Sequence, residues 1–254
     1  MQTRIYDKFV EARRTGQKKL AVLIDPDKLR LAKMDHLIEF SIRAKVDYFF
    51  IGGSLIVNNW LDKCLESLKE RCDIPLVLFP GDSFQLSYRA DALLFLSLIS
   101  GRNAELLIGK HVITAPYLKV SPLEIIPTGY MLVDGGVPTT VSYISNTQPI
   151  PADKEDIAAC TALAGELLGL RSIYMDAGSG AKYPVSLEMI ETVRGTVDVP
   201  IIVGGGIRTP ERAKQTVEAG ADIVVVGNAF EEDPSLVVSI ADAIHSYSIG
   251  VDAG

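Results

Sequence analysis

The sequence predicts an α/β fold: a single modified (β/α)8 TIM barrel over residues 1–254, with the third helix missing or replaced. Three observations carry that expectation. The chain has 254 residues, close to the ~250 residues of one such barrel. Eight short apolar, β-rich runs recur along it, continuous rather than alternating in hydrophobicity, as parallel strands buried on both faces should be. Helical patterns lie between several of them, the layout of strands joined by crossover helices.

The elements follow in order. LAVLID (20–25) is the first strand, turned by Pro26 and Asp27 and followed by a helical pattern over Met34–Lys45. DYFFIGG (47–53) is the second, followed by Asn59–Arg71. After the third, IPLVLFPG (74–81), the segment GDSFQLSYRAD is too short and polar for a full crossover helix, so the third helix is missing or replaced here. ALLFLSLI (92–99) follows. The stretch 100–129 carries several Pro and Gly and reads as a broken helix plus loops, either shaping a substrate entrance or packing peripherally. GYMLVDGG (129–136), RSIYMDAG (171–178), VPIIVGGG (199–206) and DIVVVGNA (222–229) complete the strands. Their helices are Asp153–Leu168, Ser186–Arg194, Pro210–Ala219 and Pro234–Tyr247, and Thr209 before Pro210 is a good N-cap.

Composition excludes several function classes. Hydrophobic residues make up 48% and charged residues 22%, ordinary values for a folded domain and not for a disordered one. The net charge of -7 argues against a general nucleic-acid binder, so an anionic ligand must be met locally. Cys64, Cys72 and Cys160 are odd in number with no CxxC spacing, which fits a reduced, cytoplasmic protein. The N-terminus lacks an apolar signal core, and no apolar run reaches the ~18 residues of a membrane span.

Glycines follow each of the last three strands immediately. YMDAGSG (174–180), VGGGI (203–207) and VGNAF (226–230) either make tight strand-to-helix turns or, at this rim of a barrel, bring backbone N–H groups onto a phosphate. Three clusters in consecutive units favour the anion site, made by Gly178, Ser179 and Gly180, by Gly204, Gly205 and Gly206, and by Gly227 and Asn228. Asp176 ends its strand at the same rim, as a general base for a bound hydroxyl or as a turn cap. Tyr174 shares its barrel side and either meets a ligand oxygen or packs as core. Asp25 ends the first strand. Its carboxylate suits Mg2+, with Ser54 of the GGS turn as a neutral oxygen ligand, or it merely stabilises an Asp-Pro turn. Asp27 and Lys28 cap and decorate that turn. Lys182 either approaches a phosphate or is solvated. Trp60 and the aromatics at 48–50 read as core or interface. His36, His111 and His245 have no metal-ligand or triad spacing, and no GxSxG elbow is present.

Together LIDPDK, IGGS, IPTGYMLVDGG, YMDAGSGAKYPV, IIVGGGIRTPE and VVVGNAF resemble the geranylgeranylglyceryl phosphate synthase family, which also contains heptaprenylglyceryl phosphate synthases. The resemblance runs in order from about Leu20 to Phe230. It implies a prenyltransferase with a modified barrel lacking a regular third helix, joining sn-glycerol 1-phosphate to a polyprenyl diphosphate with Mg2+. It implies Asp25 and Ser54 as the metal site and Tyr174, Met175, Asp176, Ala177, Gly178, Ser179 and Gly180 as the glycerol phosphate loop. Gly205, Gly206, Gly227 and Asn228 would continue the phosphate contacts. Asp176, where many members have Glu, resembles the second subgroup, and Leu23 stands where some have Lys. The resemblance also implies a homo-oligomer, dimer or hexamer, and transient membrane-surface contact for a lipid product. Leu93–Ile99, Pro116, Tyr117 and Leu118 are candidate walls for an apolar tail. From another class, a phosphosugar isomerase or lyase would use the same phosphate site, and a non-catalytic barrel would use Asp25 and Asp176 only as turn residues.

Overall fold

The computed structural model describes residues 4–27, 31–58, 60–227 and 235–247. Eight strands pair in parallel in sequence order: β1 (Lys19–Ile24), β2 (Tyr48–Ile51), β3 (Leu76–Leu78), β4 (Ala92–Leu98), β5 (Glu124–Leu132), β6 (Ser172–Asp176), β7 (Ile201–Gly204) and β8 (Ile223–Val226). The sheet closes where β8 pairs with β1, from Lys19 opposite Ile223 to Val22 opposite Val226. Each expected run contributes one strand.

Helix α1 (Ile5–Thr15) precedes the barrel, and α2 (Leu31–Arg43) and α3 (Leu61–Lys69) follow β1 and β2. No helix joins β3 to β4, as expected from the short segment there. A π-helical turn, Glu105–Gly109, runs into α4 (Lys110–Lys119). The remaining helices are α5 (Thr140–Ser145) and α6 (Glu155–Leu167) after β5, α7 (Leu187–Arg194), α8 (Pro210–Glu218) and α9 (Leu236–His245). The Thr209 hydroxyl caps α8 by accepting from the Arg212 N–H at 3.2 Å.

Strand alternation divides the apolar residues into two cores. Inward residues such as Ala21, Phe50, Leu94, Ile126 and Ile202 fill the barrel, whereas Val22, Phe49, Leu93, Ile173 and Met175 pack outward under the helices. Each fully buried Leu, Ile or Phe contributes about 1.5–3 kcal/mol, so this double layer dominates stability.

Helix α1 closes one end. Ile5, Phe9 and Ala12 are buried at helical spacing, and Phe9 meets Tyr48 edge-on with ring centroids 5.1 Å apart. The Glu124 carboxylate accepts the Ile5 N–H at 2.7 Å and the Tyr6 N–H at 3.2 Å, satisfying donors that a helix start leaves orphaned. Because these contacts are with the first residues of β2 and β5, α1 plugs the N-terminal mouth, and among the described residues the barrel opens at its C-terminal rim.

Two readings of 100–129 need correction. The expected broken helix is the π-turn continuing directly into α4, with Pro116 inside it. The fifth strand begins at Glu124 instead of 129. Its Pro127 lies opposite Phe95, and its carbonyl accepts from the Arg171 N–H at 2.8 Å, so the ladder toward β6 survives the missing proline N–H.

Candidate active site

The open rim surrounds a cavity of about 430 Å³. Its lining changes character across it: Gly178, Ser179, Gly180, Gly205, Gly206 and Gly227 on one side, the carboxylates of Asp25 and Asp176 beside them, and an arm walled by Leu93, Phe95, Leu96, Leu98, Leu106 and Leu118. A glycine-lined polar compartment and an apolar arm are thus one space.

Asp176 stands at their junction. Period-two alternation turns Tyr174 and Asp176 inward, and both are buried. The Asp176 Oδ2 accepts from the Tyr130 hydroxyl at 2.6 Å and Oδ1 accepts from the Gly178 N–H at 2.7 Å. Burial raises its pKa above the ordinary carboxylate value, and the two hydrogen bonds oppose that rise. Burial next to Asp176 also holds the Tyr130 hydroxyl protonated, well above its usual pKa, so it donates to the carboxylate. The Tyr174 ring stacks on Phe79 at 4.9 Å. It is inner core and cavity wall at once.

The glycine turns hold their shape for reasons visible around them. Gly205 has φ +82°, and a Cβ there would lie 2.7 Å from both Asp176 Oδ1 and the Gly178 nitrogen. Only glycine lets the β7 turn nest against the β6 turn. Gly227 differs: among the described residues the nearest neighbour of a Cβ there would be Leu23 Cβ at 3.5 Å, an ordinary contact, so none of them demands glycine at that position. Arg208, which the sequence reading did not single out, lines the cavity and donates its Nη2 to the Ala181 carbonyl at 2.9 Å, joining the two loops.

Asp25 follows β1 directly, and its Oδ1 accepts from the Asp27 N–H at 3.1 Å, the Asp-Pro turn expected of that motif. Its carboxylate also faces the turn after β2, where a Cβ on Gly53 would lie 3.4 Å away, and both Asp25 and Ser54 line the cavity. Asp27 accepts from the N–H groups of Val57 and Asn58, at 2.6 and 3.2 Å, and so caps the neighbouring loop. Gln85 clips the turns after β2 and β3: its Oε1 accepts from Gly53 at 3.2 Å and Gly81 at 3.1 Å, and its Nε2 donates to the Gly53 carbonyl at 2.7 Å.

The apolar arm is built by helices at compatible spacing. On α4, Lys110, His111, Thr114 and Leu118 present one face, and on α5, Val141 and Ile144 present another. His111, edge-on to Phe95 at 4.4 Å and 3.2 Å from the Ser97 hydroxyl, is held below its usual pKa by burial.

Ten of the residues expected to bind or catalyse line the cavity: Asp25, Ser54, Tyr174, Asp176, Gly178, Ser179, Gly180, Gly205, Gly206 and Gly227. Met175 and Ala177 do not, because alternation sends their side chains into the outer core. Gly204 is also outside the lining; it makes room for the Tyr174 hydroxyl, which a Cβ there would meet at 2.6 Å. Asn228 and Lys28 lie outside the described residues. Of the expected walls, Leu94, Ser97, Ile99, Pro116 and Tyr117 do not line the arm; Tyr117 is 60% exposed, on another face of α4. Lys182 lies over the Tyr183 ring at 5.0 Å and away from the cavity. Trp60 is 42% exposed, while Tyr48, Phe49 and Phe50 are core. Tyr130, Gln85, Lys110 and Arg208 were missed. For Tyr130 the signal was present, since it is inward in a strand already recognised.

Comparison with known proteins agrees with this geometry. The model of the PcrB family matches residues 13–245. A geranylgeranylglyceryl phosphate synthase of Chitinophaga pinensis is 57% identical over 246 residues, covering 97% of this chain and 98% of that one. Its counterpart in Thermococcus gammatolerans is 40% identical over 231 residues, covering 91% of each chain. The crystal structure of (S)-3-O-geranylgeranylglyceryl phosphate synthase from Thermoplasma acidophilum, in complex with its substrate sn-glycerol-1-phosphate, superposes with a TM-score of 0.91. It is 32% identical and covers 97% of this chain and all, 100%, of that one. On the sequence match and the shared barrel together, the chain belongs to the PcrB family, the family of these geranylgeranylglyceryl phosphate synthases.

Proposed function

We propose that this prenyltransferase forms an ether bond between sn-glycerol 1-phosphate and a polyprenyl diphosphate, geranylgeranyl diphosphate by the name its relatives carry, and releases diphosphate. The observation that carries the reading is the single cavity in which glycine turns and an apolar arm meet at the buried Asp176. An acidic chain can hold a phosphate on converging backbone N–H groups, and a polyprenyl tail needs a channel of Leu, Phe and Val. A phosphosugar isomerase or lyase has no use for that channel.

In this reading the glycerol phosphate sits on the turns at Gly178–Gly180, Gly205–Gly206 and Gly227, with its 3-hydroxyl toward Asp176. The hydroxyl oxygen forms a bond to C1 of the prenyl group as the bond from C1 to the diphosphate oxygen breaks. The diphosphate leaves with the electron pair, and the hydroxyl proton moves to Asp176. Tyr130 and Gly178 keep the carboxylate aimed and ionised, while Leu93, Phe95 and their neighbours keep water from the developing allylic cation.

Asp25 with Ser54 fits Mg2+, a hard cation bound through one or two carboxylates plus ligand phosphates and several waters. Both residues line the cavity beside the glycine turns, so one carboxylate and one hydroxyl facing the proposed phosphate site match that mode. When bound there, Mg2+ would neutralise charge on the departing diphosphate.

Labelled sn-glycerol 1-phosphate incubated with Mg2+ and prenyl diphosphates of graded length should yield an extractable ether phospholipid and equimolar diphosphate. Turnover of sugar phosphates without prenyl transfer would support the isomerase or lyase, and binding of both substrates without reaction would support a non-catalytic barrel.

A further inference from the structure

We propose that Lys110 is a further binding residue for the reaction: its ammonium exchanges Asp82 for the diphosphate of the prenyl donor. This rests on the prenyl-transfer reading. The need comes from charge. Among the described residues lining the cavity, Asp25, Asp82 and Asp176 outnumber the permanent cations Lys110 and Arg208, yet the space must take a phosphate and a diphosphate together. Arg208 belongs to the glycerol phosphate side, tied to the Ala181 carbonyl in the β6 turn at 2.9 Å. Among the described lining residues, Lys110 is the permanent cation of the other side.

Its position fits the donor's head group. Lys110 opens α4 and reaches across the gap left by the absent third crossover helix to the Asp82 carboxylate. Asp82 follows Gly81, which packs so closely on the β2 turn that a Cβ would lie 2.9 Å from Ser54 Cα. Gln85 fixes the two turns to each other. The ammonium therefore lies beside the loop that carries Ser54, at the head of the apolar arm whose α4 wall continues with His111, Thr114 and Leu118. A diphosphate held near Asp25 and Ser54 with its tail along α4 passes this point.

The existing pair can open. Its side chains are 35% and 36% exposed, and an ion pair that reaches solvent is weak enough to exchange partners. A diphosphate carries more charge and more acceptor oxygens than one carboxylate. Asp82 then holds the ammonium in place before the donor arrives and competes with it. A purely structural pair, tying α4 to the β3–β4 loop, would make either partner's loss equivalent.

The test is calorimetry of inorganic diphosphate with Mg2+, of sn-glycerol 1-phosphate and of uncharged geranylgeraniol. It uses the full chain and the variants Lys110→Met, Lys110→Arg and Asp82→Asn, each checked for an unchanged melting curve. Lys110→Met should weaken diphosphate by about tenfold or more, as expected for loss of one charge-assisted contact. It should leave glycerol phosphate and geranylgeraniol within about twofold of wild type, less than half a kcal/mol by the same relation. Lys110→Arg should recover most of the loss, and Asp82→Asn should tighten diphosphate. Unchanged diphosphate affinity in Lys110→Met, or weakening in Asp82→Asn to match it, would overturn the assignment. Wild-type protein that binds glycerol phosphate but no diphosphate would instead overturn the prenyl-transfer reading, and this assignment with it.

Discussion

The Tyr130 hydroxyl lies 2.6 Å from Asp176 Oδ2, across neighbouring strands β5 and β6. With the Gly178 N–H on Oδ1 at 2.7 Å, it fixes both oxygens of the carboxylate that ends β6. Burial pushes the proton onto Asp176, and these two donors pull the balance back toward the ionised form. In the proposed reaction Tyr130 is therefore a positioning residue whose removal should be read in a pH profile.

Tyr130→Phe deletes a donor to the charged carboxylate, so the Asp176 pKa should rise further. A base works deprotonated, and the acid limb of kcat/KM should move to higher pH, while activity well above that limb falls modestly, by about tenfold or less. The wild-type limb itself should lie above the ordinary carboxylate range, because burial raises this group. A pH–rate profile of Tyr130→Phe that overlays wild type would remove Tyr130 from the account.

Gly227→Ala is the clean test of the phosphate turns. Among the described residues a Cβ there meets only Leu23, at 3.5 Å, whereas one at Gly205 would strike Asp176 and the Gly178 nitrogen at 2.7 Å. The fold should tolerate Gly227→Ala, yet the methyl occupies the anion's approach and should weaken sn-glycerol 1-phosphate by about tenfold or more. Gly205→Val should also perturb the Asp176 network, so its loss of binding says less. Calorimetry giving unchanged affinity in folded Gly227→Ala would move the phosphate elsewhere.

Asp25→Asn should lower turnover on the order of 10²-fold, since a metal ion is worth several kcal/mol to a leaving diphosphate. It should leave glycerol phosphate affinity near wild type, because the proposed site for that phosphate lies on other turns. Asn preserves the turn's side-chain acceptor, which separates the metal role from the structural one. Wild-type activity and Mg2+ dependence in Asp25→Asn would leave Asp25 as a turn residue alone.

The barrel and most of the site were legible because both follow from local patterns. Continuous apolar runs mark strands buried on two faces, and glycines or carboxylates directly after them fall on the C-terminal rim. What escaped depends on contacts remote in sequence. Helix α1 is started by Glu124, which is 119 residues from Ile5. Strand β5 runs through Pro127 because its partners arrive from β4 and β6. The arm was half legible: Leu93, Phe95, Leu96, Leu98 and Leu118 line it, but the residues of α5 could not be placed without the loop that folds them over the rim. Met175 and Ala177 were grouped with the glycine loop by resemblance, and strand alternation turns them out.

The barrel's closed end makes a separate prediction. Asp47 accepts from the Leu20 N–H at 2.9 Å and contacts His245 Nε2 at 2.9 Å and Lys19 Nζ at 3.0 Å, holding α9 to the barrel. Burial tends to raise the Asp47 pKa, but these partners together lower it below the usual value. A carboxylate with a depressed pKa stabilises the fold above its unfolded pKa, and the contribution is lost as pH falls through the folded value. Asp47→Asn should cost about 1–2 kcal/mol at pH ~7 in denaturant unfolding. The difference from wild type should shrink below pH ~4. An equal difference at both pH values would assign it to packing.

The central claim is that Asp176 takes the proton of the glycerol hydroxyl as the ether bond forms. Asp176→Asn keeps the size, and its one oxygen can still accept from the Gly178 N–H while its amide donates to the Tyr130 oxygen, but it removes the strong proton acceptor. Single-turnover formation of the ether product, at saturating sn-glycerol 1-phosphate and geranylgeranyl diphosphate, excludes slow product release. The rate should fall by about 10²- to 10⁴-fold, with glycerol phosphate affinity little changed. A single-turnover rate within a few-fold of wild type would contradict the assignment and leave Asp176 an orienting residue.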